Sequence, residues 1–326
     1  MTNNQTAVFY HFFEKDKIYK QNLIFFLSTA YSRNIDFYIL CSSTIDFEIP
    51  NLENISFINT PNKNFDFGAF SNHINNHLDQ RYDFYFFINS SVRGPFISPN
   101  NDIFWTDIFL KYLSKDVHLV GSTIAIPEKD IPEVERFRIL FPDLDDRCPH
   151  VQSMAFCLSS EGFDYLMNLG FFTETHEKNK LDIICSYELR MSAEMIHNNW
   201  NIKCLLHEYN QIDYRNPEDF QKDLFLWDHD GPIDKGTYFA RTVSPHETIF
   251  AKINRGAISK IDLASYTFTT LISSTVPEFI KWQERNTLLS DCKMIILEAI
   301  YKRKKRRKSI INRIKNKLFK NDSQNP

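Results

Sequence analysis

Short apolar runs alternate with helical stretches from the start of the chain. AVFYHFF (7–13) reads as a strand, and Tyr19 to Arg33 as a helix whose apolar positions include Leu23, Phe26 and Leu27. DFYILCSS and ISFINT read as second and third strands, Phe70 to Leu78 as a short helix, and the almost continuously apolar YDFYFFINSS as a buried central strand. VHLVGSTIAI and PHVQSMAFCLS follow as strands. Ile183 to Asn198 reads as a helix with Ile184, Tyr187, Met191 and Met195 on one face, and NIKCLLHEY as a closing strand. Asn216 to Gly236, rich in Asp, Pro and Gly, reads as a long loop; SPHETIFAKINRG and a mainly helical C-terminal part come after it. This alternation predicts an α/β fold with a mostly parallel sheet. Ligands of such sheets bind beyond the carboxyl ends of the strands, which directs attention to PNKNFDFGAF after the third strand and NSSVRGPF after the fourth.

Composition supports one sizeable core: 326 residues, 43% hydrophobic, with 30 Phe and only 8 Gly, exclude disordered and fibrous classes. The N-terminus, MTNNQTAVFYHFFEKDK, carries charges where a secretory signal needs an apolar run, and no stretch approaches the roughly 18 apolar residues of a membrane span. A cytoplasmic location is expected. Six cysteines (Cys41, Cys148, Cys157, Cys185, Cys204 and Cys292) without a CxxC pair suggest reduced structural thiols rather than a zinc site or disulfides.

Net charge of −3 hides a division of the chain. Eleven of the 38 Lys and Arg lie between Lys302 and Lys320, a stretch with no acidic residue, whereas residues 1–300 hold 27 basic against 40 acidic residues. A body of net −13 is a poor nucleic-acid surface, and no nucleic-acid partner is expected. KRKKRRKSIINRIKNKLF joins a basic block to Ile310, Ile311, Ile314 and Leu318 on one helical face, the pattern of an interfacial amphipathic helix. That pattern predicts a peripheral association with anionic lipid at the inner face of the cell membrane; a disordered basic tail is the plainer alternative, and nucleic-acid binding through the tail is a second competitor that conflicts with the acidic body.

Five segments in order, NKNFDFGAF, YDFYFFINSSVRGPF, PHVQSM, SYELRMSAEM and SPHETIFAKINR, resemble bacterial surface-polysaccharide glycosyltransferases of the rhamnan synthesis F type, over roughly residues 5–256. The resemblance implies an A-type glycosyltransferase fold, a Rossmann-like sheet binding a nucleotide-sugar donor, with a glycan or lipid-linked acceptor. The chain then divides into a transferase domain (1–256), a helical extension (257–300) and the basic amphipathic tail (301–326).

Within these segments, Asn62, Asn64 and Asp66 either contact the donor's base or ribose or serve as turn and capping residues, and Gly68 permits close backbone approach. Donor sites of the implied fold commonly place an Asp-x-Asp triplet after the central strand to hold a divalent cation. This chain has Asn89, Ser90 and Ser91, neutral oxygens that are weak ligands for Mg²⁺ or Mn²⁺, so metal dependence stays open. Arg93 is the candidate to pair with the diphosphate instead. His150 and Gln152, on one face of a strand, are candidates for sugar hydroxyls or structural residues. Asp143, Asp145 and Asp146 could hold a metal or form a solvated loop, and Asp228, His229 and Asp230 are a lower-ranked metal set.

Glu188, about 100 degrees round from Tyr187 at the edge of a helix's apolar stripe, is the candidate base that takes the acceptor hydroxyl's proton if transfer inverts the anomeric carbon. An ordinary helical ion pair is its alternative fate. His246, Glu247, Lys252 and Arg255 form a late polar set that could close over the donor phosphates. The reading that competes with an enzyme is a noncatalytic nucleotide-sugar or glycan-binding subunit of an assembly complex, suggested by the missing carboxylate triplet.

Overall fold

The computed structural model describes residues 5–98, 102–173, 178–220, 231–274 and 276–321, with side chains as far as residue 312. The first half contains β1 (Thr6–Phe12), α1 (Lys17–Ala30), β2 (Ile35–Cys41), β3 (Ile55–Asn59), α2 (Phe65–His77) and β4 (Phe84–Asn89). Next come β5 (Val92–Arg93), α3 (Trp105–Leu110), β6 (Val117–Gly121), β7 (Ile124–Ala125), α4 (Pro132–Leu140), β8 (His150–Val151), β9 (Ala155–Ser159) and α5 (Ser160–Asn168). A continuous helical stretch then runs through α6 (Lys180–Ile183), a π-helical segment (Ile184–Leu189) and α7 (Arg190–His197) into β10 (Asn201–Cys204). The remainder is α8 (His207–Asn210), α9 (Pro217–Phe220), α10 (Pro245–Thr248), β11 (Ala251–Lys252), α11 (Lys260–Ser273), α12 (Pro277–Ile280) and α13 (Gln283–Asn321).

Seven strands form one sheet in the order β10-β6-β9-β4-β1-β2-β3, parallel throughout except for β9, which runs against both neighbours. The expected mostly parallel α/β sheet is therefore present. Both of its faces are covered, which explains the uninterrupted apolar runs. Along β4, Phe86 and Ile88 enter one core layer while Tyr85 and Phe87 enter the other; β1 and β9 alternate in the same way.

One layer is closed by α1, α11 and the first part of α13, through Phe26, Leu263, Leu271 and Leu288. Trp105 fills its centre with its indole N–H donating to the Ala30 carbonyl at 2.9 Å, so this buried polar atom is satisfied. The helices after residue 256 thus share the sheet's own core as far as Cys292. Beyond Ala299, α13 leaves the body and its described side chains are exposed. No helix among the described residues is long and apolar enough to cross a membrane.

Three sequence-based boundaries shift. Helix α2 begins at Phe65 rather than Phe70, because Asn64 and Phe65, both left-handed (φ 55° and 54°), turn the chain directly into it. PHVQSMAFCLS divides into β8 and β9 around Gln152–Met154, and NIKCLLHEY stops as a strand at Cys204. The loop reading of 216–236 is interrupted by α9; residues 221–230 of that stretch lie outside the described residues.

Candidate functional site

From β1 the chain moves outward to β2 and β3, then returns to place β4 on the other side of β1. The connections leaving two neighbouring strands diverge at this point, and a crevice opens at their carboxyl ends. It is a cleft of about 540 Å³, with His11 at the end of β1 and Asn89, Ser90 and Ser91 at the end of β4 among its lining residues.

Hydrogen bonds fix that floor. The Ser90 amide donates to the His11 carbonyl at 2.9 Å, and the Ser90 hydroxyl donates to the Phe13 carbonyl and accepts from the Phe13 amide. The Asn89 side chain donates to Asp66 Oδ2 at 2.8 Å, and its carbonyl oxygen accepts from both the amide and the hydroxyl of Ser91. Asp66 stands in the first turn of α2, directly after the left-handed pair. Gly68 is required there because a Cβ would meet the Lys63 carbonyl oxygen at 1.8 Å. His11 lies against Ser42 Oγ (3.0 Å), and burial pushes its imidazole pKa down to about 4, so the ring is neutral at physiological pH.

Glu188 reaches the cleft from the π-helical segment. A regular 3.6-residue helix would set Ile184 on the stripe of Tyr187, Met191 and Met195, but the wider turn rotates Ile184 out to line the cleft while the other three stay in the core. Phe67 stacks on Tyr187 with ring centroids 4.9 Å apart, tying this segment to α2. The Ser153 amide donates to Glu188 Oε1 at 2.8 Å, which holds the carboxylate from the loop between β8 and β9.

Four cations, Lys15, Lys180, Lys252 and Arg255, line the cleft against two carboxylates, Asp66 and Glu188. Lys15, Lys180 and Arg255 are exposed; Lys252, Asp66 and Glu188 are half-buried. Desolvation raises the Asp66 pKa, with Glu188 adding to the rise and the Asn89 hydrogen bond and Lys252 opposing it. Desolvation lowers that of Lys252, opposed by the nearby Glu188 and Asp66 charges. An anion entering here meets a positive field at close range.

A second cavity of about 650 Å³ adjoins the first, and Gln152, Lys180, Ile184, Glu188 and Arg255 line both. Glu188 therefore stands on their common wall. His150 lines only the second cavity, its Nδ1–H donating to the Cys148 carbonyl at 2.9 Å, and Gln152 accepts from the Thr123 hydroxyl at 2.7 Å.

Of the residues singled out from the sequence, the cleft gathers Asn62, Asp66, Asn89, Ser90, Ser91, Gln152, Glu188, Lys252 and Arg255. Four others lie elsewhere. Arg93 is a correction: its side chain turns from the cleft into the core layer, donating to Asn22 Oδ1 (2.8 Å), Thr267 Oγ1 (3.1 Å) and Gln21 Oε1 (3.3 Å). Fully engaged between α1 and α11, it has no path to a phosphate. His246 donates from Nδ1 to the Phe96 carbonyl at 3.3 Å and meets the edge of Tyr266, again outside the cleft. Asn64 is buried and accepts from the Lys178 amide, a structural clamp on the loop. Glu247 completes a capping box with Ser244 and pairs with Arg241.

The donor atoms do not suit a divalent cation. After β4 the oxygens of Asn89 and Ser90 are already committed to Ser91 and Phe13, and Asp66 holds the Asn89 amide. No group of three His, Cys, Asp or Glu among the described residues could hold a metal ion. Asp145 and Asp146 pair with Arg147 and Arg138, which favours the solvated-loop reading of that cluster, and Asp228, His229 and Asp230 lie outside the described residues.

Sequence reasoning missed His11, Lys15, Phe65 and Lys180. Lys15 and His11 were within reach of the strand-end rule, since the polar residues EKDK (14–17) follow the first apolar run as well; Phe65, 53% exposed on the rim, is an aromatic placed between Asn64 and Asp66. For Lys180 no local signal exists.

No protein-family profile matches the sequence, and no curated protein does. Among solved structures, the chain is similar to the galactosyltransferase LgtC in complex with donor and acceptor sugar analogs (TM-score 0.42, 11% identity, 86% of this chain and 100% of that one). It is also similar to the mannosyltransferase PcManGT from Pyrobaculum calidifontis in complex with GDP-Man and Mn²⁺ (TM-score 0.38, 10% identity, 91% of this chain and 86% of that one).

Proposed function

We propose that this chain is a glycosyltransferase of the A-type fold that moves a sugar from a nucleotide-sugar donor to a glycan or lipid-linked acceptor of the cell surface. One observation carries the reading: the crevice at the strand switch point is ringed by cations and shares a wall, through Glu188, with a second cavity. The first space suits an anionic donor, with Phe65 as a stacking surface for the base and Lys15, Lys180 and Arg255 near the phosphates. The second, bordered by His150 and Gln152, suits the acceptor. Glu188 then takes a proton from the acceptor hydroxyl as its oxygen attacks the anomeric carbon, and the bond to the diphosphate oxygen breaks. The resemblance of five segments to surface-polysaccharide transferases of the rhamnan synthesis F type points the same way.

A panel of nucleotide sugars tests it by thermal shift and slow donor hydrolysis. The transferase reading expects a shift with one donor and release of its nucleoside diphosphate. Binding without turnover in the presence of oligosaccharide acceptors supports the noncatalytic subunit instead, and silence across the panel overturns the transferase reading and leaves a glycan-binding subunit.

We further propose that α13 seats the enzyme on anionic lipid. Lys302 to Lys308 are seven consecutive basic residues, all exposed, and Ile310 and Ile311 are 55% and 51% exposed beside them. At about 1 kcal/mol per basic residue near an anionic surface, a few contacts suffice for association. Ending the chain at Tyr301 is expected to abolish co-sedimentation with phosphatidylserine vesicles and leave the melting temperature unchanged. Equal sedimentation of both proteins overturns the proposal.

A further inference from the structure

We infer that the ε-ammonium of Lys252, rather than a divalent cation, meets the donor diphosphate at the end of β4. This rests on the reading of the cleft as a nucleotide-sugar site. The chemistry at that position needs a positive charge, because breaking the bond between the anomeric carbon and the diphosphate leaves an electron pair on a phosphate oxygen. The oxygens of Asn89, Ser90 and Ser91 are neutral and already hydrogen-bonded to one another and to Phe13, which makes them weak ligands for a hard cation.

Lys252 is pinned where such a cation would be needed. Strand β11 pairs antiparallel with β5, Lys252 opposite Val92, and the next residue, Ile253, donates its amide to the Ser91 carbonyl at 3.2 Å. The backbone bearing the ammonium is thus locked to the turn that ends β4. The side chain lines the cleft with Asp66, Asn89 and Glu188, yet makes no hydrogen bond or ion pair with a described residue, so its N–H donors are left for a ligand. Asp66 and Glu188 offset part of the cost of burying this ammonium, and an entering anion that accepts its hydrogen bonds offsets the rest. Burial depresses its pKa, and the two carboxylates act against that depression and favour the charged form. On leaving, the diphosphate oxygen accepts a hydrogen bond from this ammonium, while the acceptor's proton goes to Glu188.

Calorimetric titration of the full chain with inorganic pyrophosphate and with UDP, GDP and dTDP tests the inference. Binding is expected to be the same in EDTA as in Mn²⁺, to fall roughly tenfold or more in Lys252→Met, and to be largely kept in Lys252→Arg. Lys252→Asp is expected to gain a dependence on Mn²⁺, since a third carboxylate then joins Asp66 and Glu188 in the cleft. Binding by the unaltered chain that vanishes in EDTA, or that is unchanged in Lys252→Met, overturns the inference and leaves the cleft's assignment intact. The EDTA comparison needs no variant, so a misfolded substitution does not blunt it. Failure of the full chain to bind pyrophosphate or any of the three nucleotides overturns the assignment of the cleft and the inference with it.

Discussion

Glu188→Gln is expected to lower sugar transfer by roughly 10²–10⁴-fold while leaving donor affinity nearly intact. The amide keeps the shape of the carboxylate and can still accept from the Ser153 amide at the position of Oε1, so the segment keeps its geometry. It cannot take a proton from an attacking hydroxyl. Single-turnover transfer from the donor found in the panel measures the effect, with donor dissociation constants measured beside it. A loss of donor affinity together with activity would recast Glu188 as a binding residue. Unchanged turnover would remove it from the chemistry altogether.

For Arg93→Met the expected loss is of stability, on the order of 3 kcal/mol or more, with phosphate affinity unchanged in the protein that remains folded. Asn22, Thr267 and Gln21 each give the guanidinium an acceptor, and all three are left without their donor when it goes. Burial lowers the pKa of Arg93 to about 10, so it is charged at neutral pH and its neutral partners carry the whole cost of keeping it in the core. Urea denaturation reads the first effect and pyrophosphate titration the second. A phosphate defect with native stability would return Arg93 to the site, against its observed direction.

The contrast between these two residues shows what the sequence could convey. Apolar runs located the strands, because a strand buried on both faces has no polar positions, and the strand-end rule then reached Asp66 and Asn89. The same feature hid strand direction: with alternation erased, nothing in AFCLS indicated that β9 runs against its neighbours. Arg93 misled because proximity in sequence to the end of β4 does not specify which way a side chain points once β5 has turned. Glu188 was reached through regular helical geometry, although the π-helical segment is what turns Ile184 to the cleft and sets the local register. Lys180 comes to the cleft from a helix start far along the chain, a juxtaposition that only the folded sheet creates.

The length of α13 bears on how the site meets its acceptor. A disordered leash would let the cleft wander over a range of heights and tilts. This helix contains no Gly or Pro from Gln283 to Asn321, and its first turns are built into the core beside α1 and α11. Its 39 residues span about 58 Å at 1.5 Å per residue, so it behaves as a strut with one end cemented in the body. With the far end seated as proposed, the strut fixes the standoff and roll of the cleft above that surface.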